Sequence, residues 1–144
     1  VTVAHAVSIA VTFVWLGMVL AISFVEAPLK FRAPGVSLQI GLGIGRLVFR
    51  ALNSIEVALA VILVIAVAIE RPSLVAVVAV GVVVVALAAQ LVAVRPALNR
   101  RSDAVLAAPA GQSPPGRSRA HYGYVALEAL KVVALVTGGI ALLA

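Results

Sequence analysis

The chain has 144 residues, of which 64% are hydrophobic and only 11% charged, with a mean hydropathy of +1.23. Soluble domains carry about 25% charged residues, so this composition excludes an ordinary globular protein. The formal charge is +6 and there is no cysteine, which excludes disulfides, thiolate metal sites, iron–sulfur clusters and a cysteine nucleophile.

The basic residues stand beside long apolar runs rather than on a soluble face, which points to anionic lipid headgroups as the counter-charge and away from nucleic acid. Residues 1–25 contain no Asp, Glu, Lys or Arg, enough to cross a hydrocarbon core of about 30 Å as a helix. We place the first span at 4–27, closed by Pro28. With no basic region and no small-residue cleavage site before Glu26, it reads as a mature helix and not as a signal peptide. Its Ala4/Ser8 and Ala6/Ala10 pairs suit close helix packing within the bundle or between protomers. The connection 28–47 holds Ala33-Pro34-Gly35 and then Gly41, Gly43 and Gly45. The spacing Gly-x-Gly-x-Gly without a preceding strand is no dinucleotide fingerprint. We read 34–47 as a re-entrant or interfacial piece, its glycines allowing close approach to backbone or headgroups.

The second span, 48–69, is less simple, because its charge-free run covers only the 13 residues 57–69, about 20 Å of helix. To cross, it must carry Asn53 and Glu56 into the membrane. Arg46, Arg50, Asn53 and Glu56 follow at increments of four, three and three, one face of a helix. Glu70-Arg71-Pro72 makes a tight turn. The third span, 73–95, draws on a charge-free run at 72–94; Val82–Val85 has strand propensity, but an unbroken apolar stretch of this length favours helix. It carries Gln90 and ends at Arg95 and Pro96. The connection 96–121 includes Ala-Gly-Gln-Ser-Pro-Pro-Gly at 110–116, which reads as a mobile surface loop. The fourth span, 122–143, again has a charge-free run of only 13 residues, 132–144, and must include Glu128 and Lys131. His121, Tyr124, Glu128 and Lys131 share one face, and Gly138 and Gly139 suit close packing. The first and third spans thus read as plain hydrophobic rods, and the second and fourth as carriers of polar groups.

The expected fold is all-α: a single transmembrane domain over 1–144, an up-down four-helix bundle. Nine of the eleven basic residues, Lys30, Arg32, Arg46, Arg50, Arg95, Arg100, Arg101, Arg117 and Arg119, belong to the side carrying the first and third connections. The positive-inside rule makes loops 28–47 and 96–121 cytoplasmic and puts both termini outside the inner (plasma) membrane. The halves echo each other, with Val25-Glu-Ala-Pro28 and Val94-Arg-Pro96 each followed four residues later by arginine. Two parallel helical hairpins would explain this, and so would general membrane-protein grammar.

An isolated charge at bilayer depth costs about 2.5–3.5 kcal/mol, so the intramembrane polar residues are expected to face inward and pair. The candidate cluster is Glu26, Arg46, Arg50, Asn53, Glu56, Gln90, Arg95, His121, Tyr124, Glu128 and Lys131. Glu128 has Lys131 at i+3, and Glu56 has Arg50, Arg46 or Arg95 as candidate partners. Two readings stand: a network that pins helix packing, or a polar cavity for an ion, proton or small polar ligand. His5 and His121 lie near opposite faces and cannot share one haem iron. His121, Glu128 and Glu26 have no recognised metal-ligand spacing, and Ser102 and Asp103 have no histidine nearby for hydrolytic catalysis. No cofactor is expected. The composition therefore suggests a non-enzymatic accessory or interaction component of a membrane assembly, as a homo-oligomer or in a larger complex. The alternative is a small transporter or channel using the cytoplasmic-side cluster.

From Trp15-Leu-Gly-Met18 through Glu26-Ala-Pro-Leu-Lys-Phe-Arg32 and Gly45-Arg-Leu-Val-Phe49, the chain resembles small uncharacterised bacterial four-span proteins. More distantly it is similar to the transmembrane-protein-205-like group, with His121 before the fourth span matching as well. The resemblance implies a four-span fold and membrane location, and no activity. Glu56 and the Glu128/Lys131 pair do not map onto it.

Overall fold

A computed structural model describes residues 1–109 and 119–144. Among these, four helices are long and apolar enough to cross a membrane: α1 (Val3–Lys30), α2 (Leu38–Glu70), α3 (Leu74–Ala107) and α4 (Arg119–Leu143). Three of them start at a hydroxyl N-cap that satisfies one of the free amides of the first turn. Thr2 accepts from the His5 amide, Ser37 from that of Ile40 and Ser73 from that of Ala76. Helix α2 stops where Arg71 turns left-handed, φ 54°, and Pro72 follows, which cannot continue the ladder.

The helices run past the expected spans at three points. Pro28 and Pro96 do not close α1 and α3. Each lies just beyond a wide turn, over Leu20–Glu26 and Gln90–Val94, where backbone bonds close on the fifth residue: Ala27 N–H donates to Ile22 O, and Arg95 N–H to Gln90 O. A proline in a helix lacks a donor and strikes the carbonyl four residues back. A widened turn immediately ahead relieves that conflict, so both helices continue, to Lys30 and to Ala107. The two prolines thus share a helix distortion as well as a sequence echo.

The third departure is at 34–47, where the structure shows helix from Leu38 onward, continuous with the second span. Two of its glycines, Gly41 and Gly45, face side chains of α1, while Gly43 faces open space. A Cβ on Gly41 would strike the Phe31 ring, and one on Gly45 would lie 3.0 Å from Lys30 Nζ. The end of α1 folds over the start of α2 at these two notches. The segment 110–116, expected as a mobile loop, and Arg117 lie outside the described residues.

Helix α1 packs against α2 and α4, and α3 packs chiefly against α4. The apolar core is built around Trp15, Val19, Leu63, Val83, Leu87 and Leu135. Gly138 and Gly139 bring α4 close to its neighbours, as their packing role required. A Cβ on Gly139 would fall 2.8 Å from the Phe13 ring, and one on Gly138 3.1 Å from Ala79. Ser8 is buried, whereas Ala6 and Ala10 face outward. The outer surface is largely Val, Leu and Ile.

Contacts between helices bring Lys30 and Arg46 to one end. There Arg46 meets Asp103, the Gln39 amide donates to the Ala108 carbonyl at 3.1 Å, and Lys30 Nζ lies 5.5 Å from the Phe49 ring. At the other end His5 of α1 bonds Glu70 of α2.

Candidate functional site

Four helices contribute side chains to one buried polar network. Its centre is Lys131 of α4, which bonds Glu56 of α2 and, at 2.6 Å, Glu128 one turn earlier on its own helix. All three residues are at most 1% exposed. Trp15 of α1 donates its indole N–H to Glu56 Oε1 at 2.8 Å. Glu128 accepts from the Ser23 hydroxyl of α1 at 2.5 Å and from the Gln90 amide of α3 at 2.6 Å. One helical turn away, the Tyr124 hydroxyl donates to Asn53 Oδ1 at 3.3 Å, and the Gln90 amide also reaches the Tyr124 carbonyl at 3.5 Å.

Periodicity explains much of this convergence. Asn53 and Glu56 are three apart on α2, and Tyr124, Glu128 and Lys131 follow at four and three on α4, so each set shares one face. Both faces turn inward because an uncompensated charge is far more costly against hydrocarbon than beside a partner.

The expected partners of Glu56, the arginines Arg46, Arg50 and Arg95, are not the ones it uses. Arg46 bonds Asp103 at 2.5 Å, and Arg50 is exposed. Long cationic side chains reach outward toward water, while Lys131 is already enclosed at the depth of Glu56. Glu26 pairs with Lys30 on its own helix at 3.5 Å. His121 sets its ring edge-on to Tyr122, with centroids 5.8 Å apart. Of the eleven candidate residues, Asn53, Glu56, Gln90, Tyr124, Glu128 and Lys131 join the network; Glu26, Arg46, Arg50 and Arg95 do not.

Trp15 and Ser23 were missed, and the first span is not a plain rod. A signal for them existed: Ser8, Thr12, Trp15 and Ser23 are hydrogen-bonding residues spaced at four, three and eight on one face. Ser8 and Thr12 bond carbonyls of their own helix, Ala4 O and Ser8 O, which leaves the other two to meet the acids.

Two carboxylates share one ammonium, so the buried trio carries one formal negative charge when both acids are ionised. Glu56 Oε2, Gln90 Oε1 and Asn53 Nδ2 are buried and have no hydrogen-bond partner among the described residues. Such a site can hold a packing geometry, because each removal leaves a costly orphan. It can also take up a proton or small cation at the unmatched charge. Among the described residues no three of His, Asp and Glu converge as a metal-holding group, and His121, Glu128 and Glu26 do not come together. His5 and His121 belong to opposite ends: Phe13 lies on Gly139 and Ser23 on Glu128, so α4 begins beside the end of α1 remote from His5.

The architecture is that of an all-helical chain with four potential membrane-crossing helices around a polar centre. Searches of protein-family models, curated proteins and solved structures find no match to the chain.

Proposed function

We propose that the chain is a multi-pass protein of the inner membrane, its four helices running up and down. In this reading it is a non-enzymatic accessory or interaction component of a membrane assembly. The observation that carries it is the enclosed Glu56–Lys131–Glu128 trio. A polar centre bonded to every helix and at most 1% exposed is suited to fixing helix register, leaving the outer surface to meet partners. The apolar exterior supports membrane insertion. The basic end is placed in the cytoplasm by the positive-inside rule, with both termini outside. The resemblance to the transmembrane-protein-205-like group agrees with this fold and adds no activity. The orientation is tested with Ala33→Cys in this cysteine-free chain: labelling is expected only from the cytoplasmic side, and labelling from outside overturns it.

The unmatched negative charge favours a second reading, in which the trio carries a proton or small cation across the membrane. Flux in proteoliposomes under a pH gradient separates the two. The accessory reading expects no flux above empty vesicles. Flux that disappears in both Glu56→Gln and Glu128→Gln overturns it and establishes the transport reading.

A further inference from the structure

We propose that a cleft between α2 and α3 is a phosphate-binding site, independent of the buried trio. The cleft has a volume of about 280 Å³ and is lined by Arg50, Asn53, Ser54 and Val57 of α2 and by Leu91 and Arg95 of α3. Its polar lining offers donors and no carboxylate. Asn53 is 4% exposed, its carbonyl accepts from Tyr124, and its amide Nδ2 is buried with no partner among the described residues.

Charge accounting across the chain strengthens the case. There are five acidic residues, and each is engaged elsewhere: Glu26 with Lys30, Glu56 and Glu128 with Lys131, Glu70 with His5, and Asp103 with Arg46. Neither Arg50 nor Arg95 has an ion-pair partner among the described residues. Arg95 is only partly exposed, and Arg46 and Arg50 both stand close enough to repel it. A partly desolvated guanidinium beside like charges and no acid is an electrostatic deficit that a bound anion relieves.

The wide turn of α3 contributes directly. Because Arg95 N–H closes on Gln90 O, the widened turn rotates Arg95 relative to its position in a regular α-helix, and Arg95 lines the cleft. Phosphate fits the donor set, since planar guanidinium forks bind its oxygens in pairs and a neutral amide can satisfy a further oxygen. Val57 and Leu91 present an apolar wall beside the donors. Such a site can be filled by the phosphodiester of an anionic lipid headgroup or by free phosphate.

The test uses the full chain in phosphatidylcholine nanodiscs, with either phosphatidylglycerol introduced into the bilayer or inorganic phosphate added to the buffer. Thermal unfolding and native mass spectrometry give the readout. Saturable stabilisation by at least one probe is expected, with one bound equivalent. Arg50→Gln and Arg95→Gln are each expected to weaken it about tenfold or more, as loss of a charge-assisted bond implies. Arg100→Gln removes the same charge from an exposed position outside the cleft and is expected to leave binding unchanged. A response to phosphatidylglycerol alone identifies the headgroup as the source, and one to inorganic phosphate alone identifies the free anion. Absence of saturation with both probes, or equal weakening in Arg100→Gln, overturns the site. Arg50 is exposed and keeps the test decisive even where Arg95→Gln impairs folding.

Discussion

The Glu56–Lys131–Glu128 trio and the Arg46–Asp103 pair use the same chemistry at two depths. In the trio the ammonium and both carboxylates are sealed from solvent, and Trp15, Ser23 and Gln90 supply further hydrogen bonds. In the pair the side chains are 29% and 63% exposed. Screening by water makes the second pair nearly interchangeable with two separately solvated groups. The trio has no such fallback, because removing a partner strands a charge in a medium that cannot solvate it. The same kind of charge pairing therefore determines packing in one place and little in the other.

The largest effect is expected at the centre. Lys131→Met leaves two carboxylates facing each other without a counter-charge and should cost about 3–5 kcal/mol, the range for breaking a buried pair. Thermal unfolding in detergent measures it, and an unchanged midpoint would remove the trio from any structural role. An intermediate effect is expected where packing alone is changed. Gly139→Leu drives a side chain into the Phe13 ring and should cost about 1–3 kcal/mol by overpacking. Gly81→Leu, at a position with nothing within 4 Å of an added Cβ, is the matched control. Equal losses in the two would assign the cost to the helix backbone and not to the α1–α4 contact. The smallest effect belongs to the exposed pair: Asp103→Asn should change stability by about 0–1 kcal/mol, less at high salt. A loss matching that of Lys131→Met would erase the distinction between the two depths.

Much of the polar centre was legible before any tertiary contact was known. The short charge-free runs beside Glu56 and Glu128 force these acids into the bundle, and helical spacing aligns Asn53 with Glu56 and Tyr124 with Glu128 and Lys131. The pairing of Glu56 was not legible. Three arginines and one lysine were available to it, and the choice depends on depth and on which helix faces which. Trp15 was hidden for a different reason. An indole is amphipathic, and its apolar body passes for core in an apolar span until a carboxylate is found beside its N–H.

The prolines mark the same boundary. Pro28 and Pro96 carry a general stop signal, yet whether a helix ends or widens its preceding turn depends on the packing available beyond it, and that is a tertiary property. Composition and the lengths of the apolar runs were sufficient for four helices long enough to cross a membrane, since length and hydropathy are properties of one segment at a time. Which acid meets Lys131, why Gly41 must be small, and how Arg50 and Arg95 come to line one cleft were decided only by the packed structure. Each of these joins residues from different segments, and no single helix encodes its neighbour's depth or rotation.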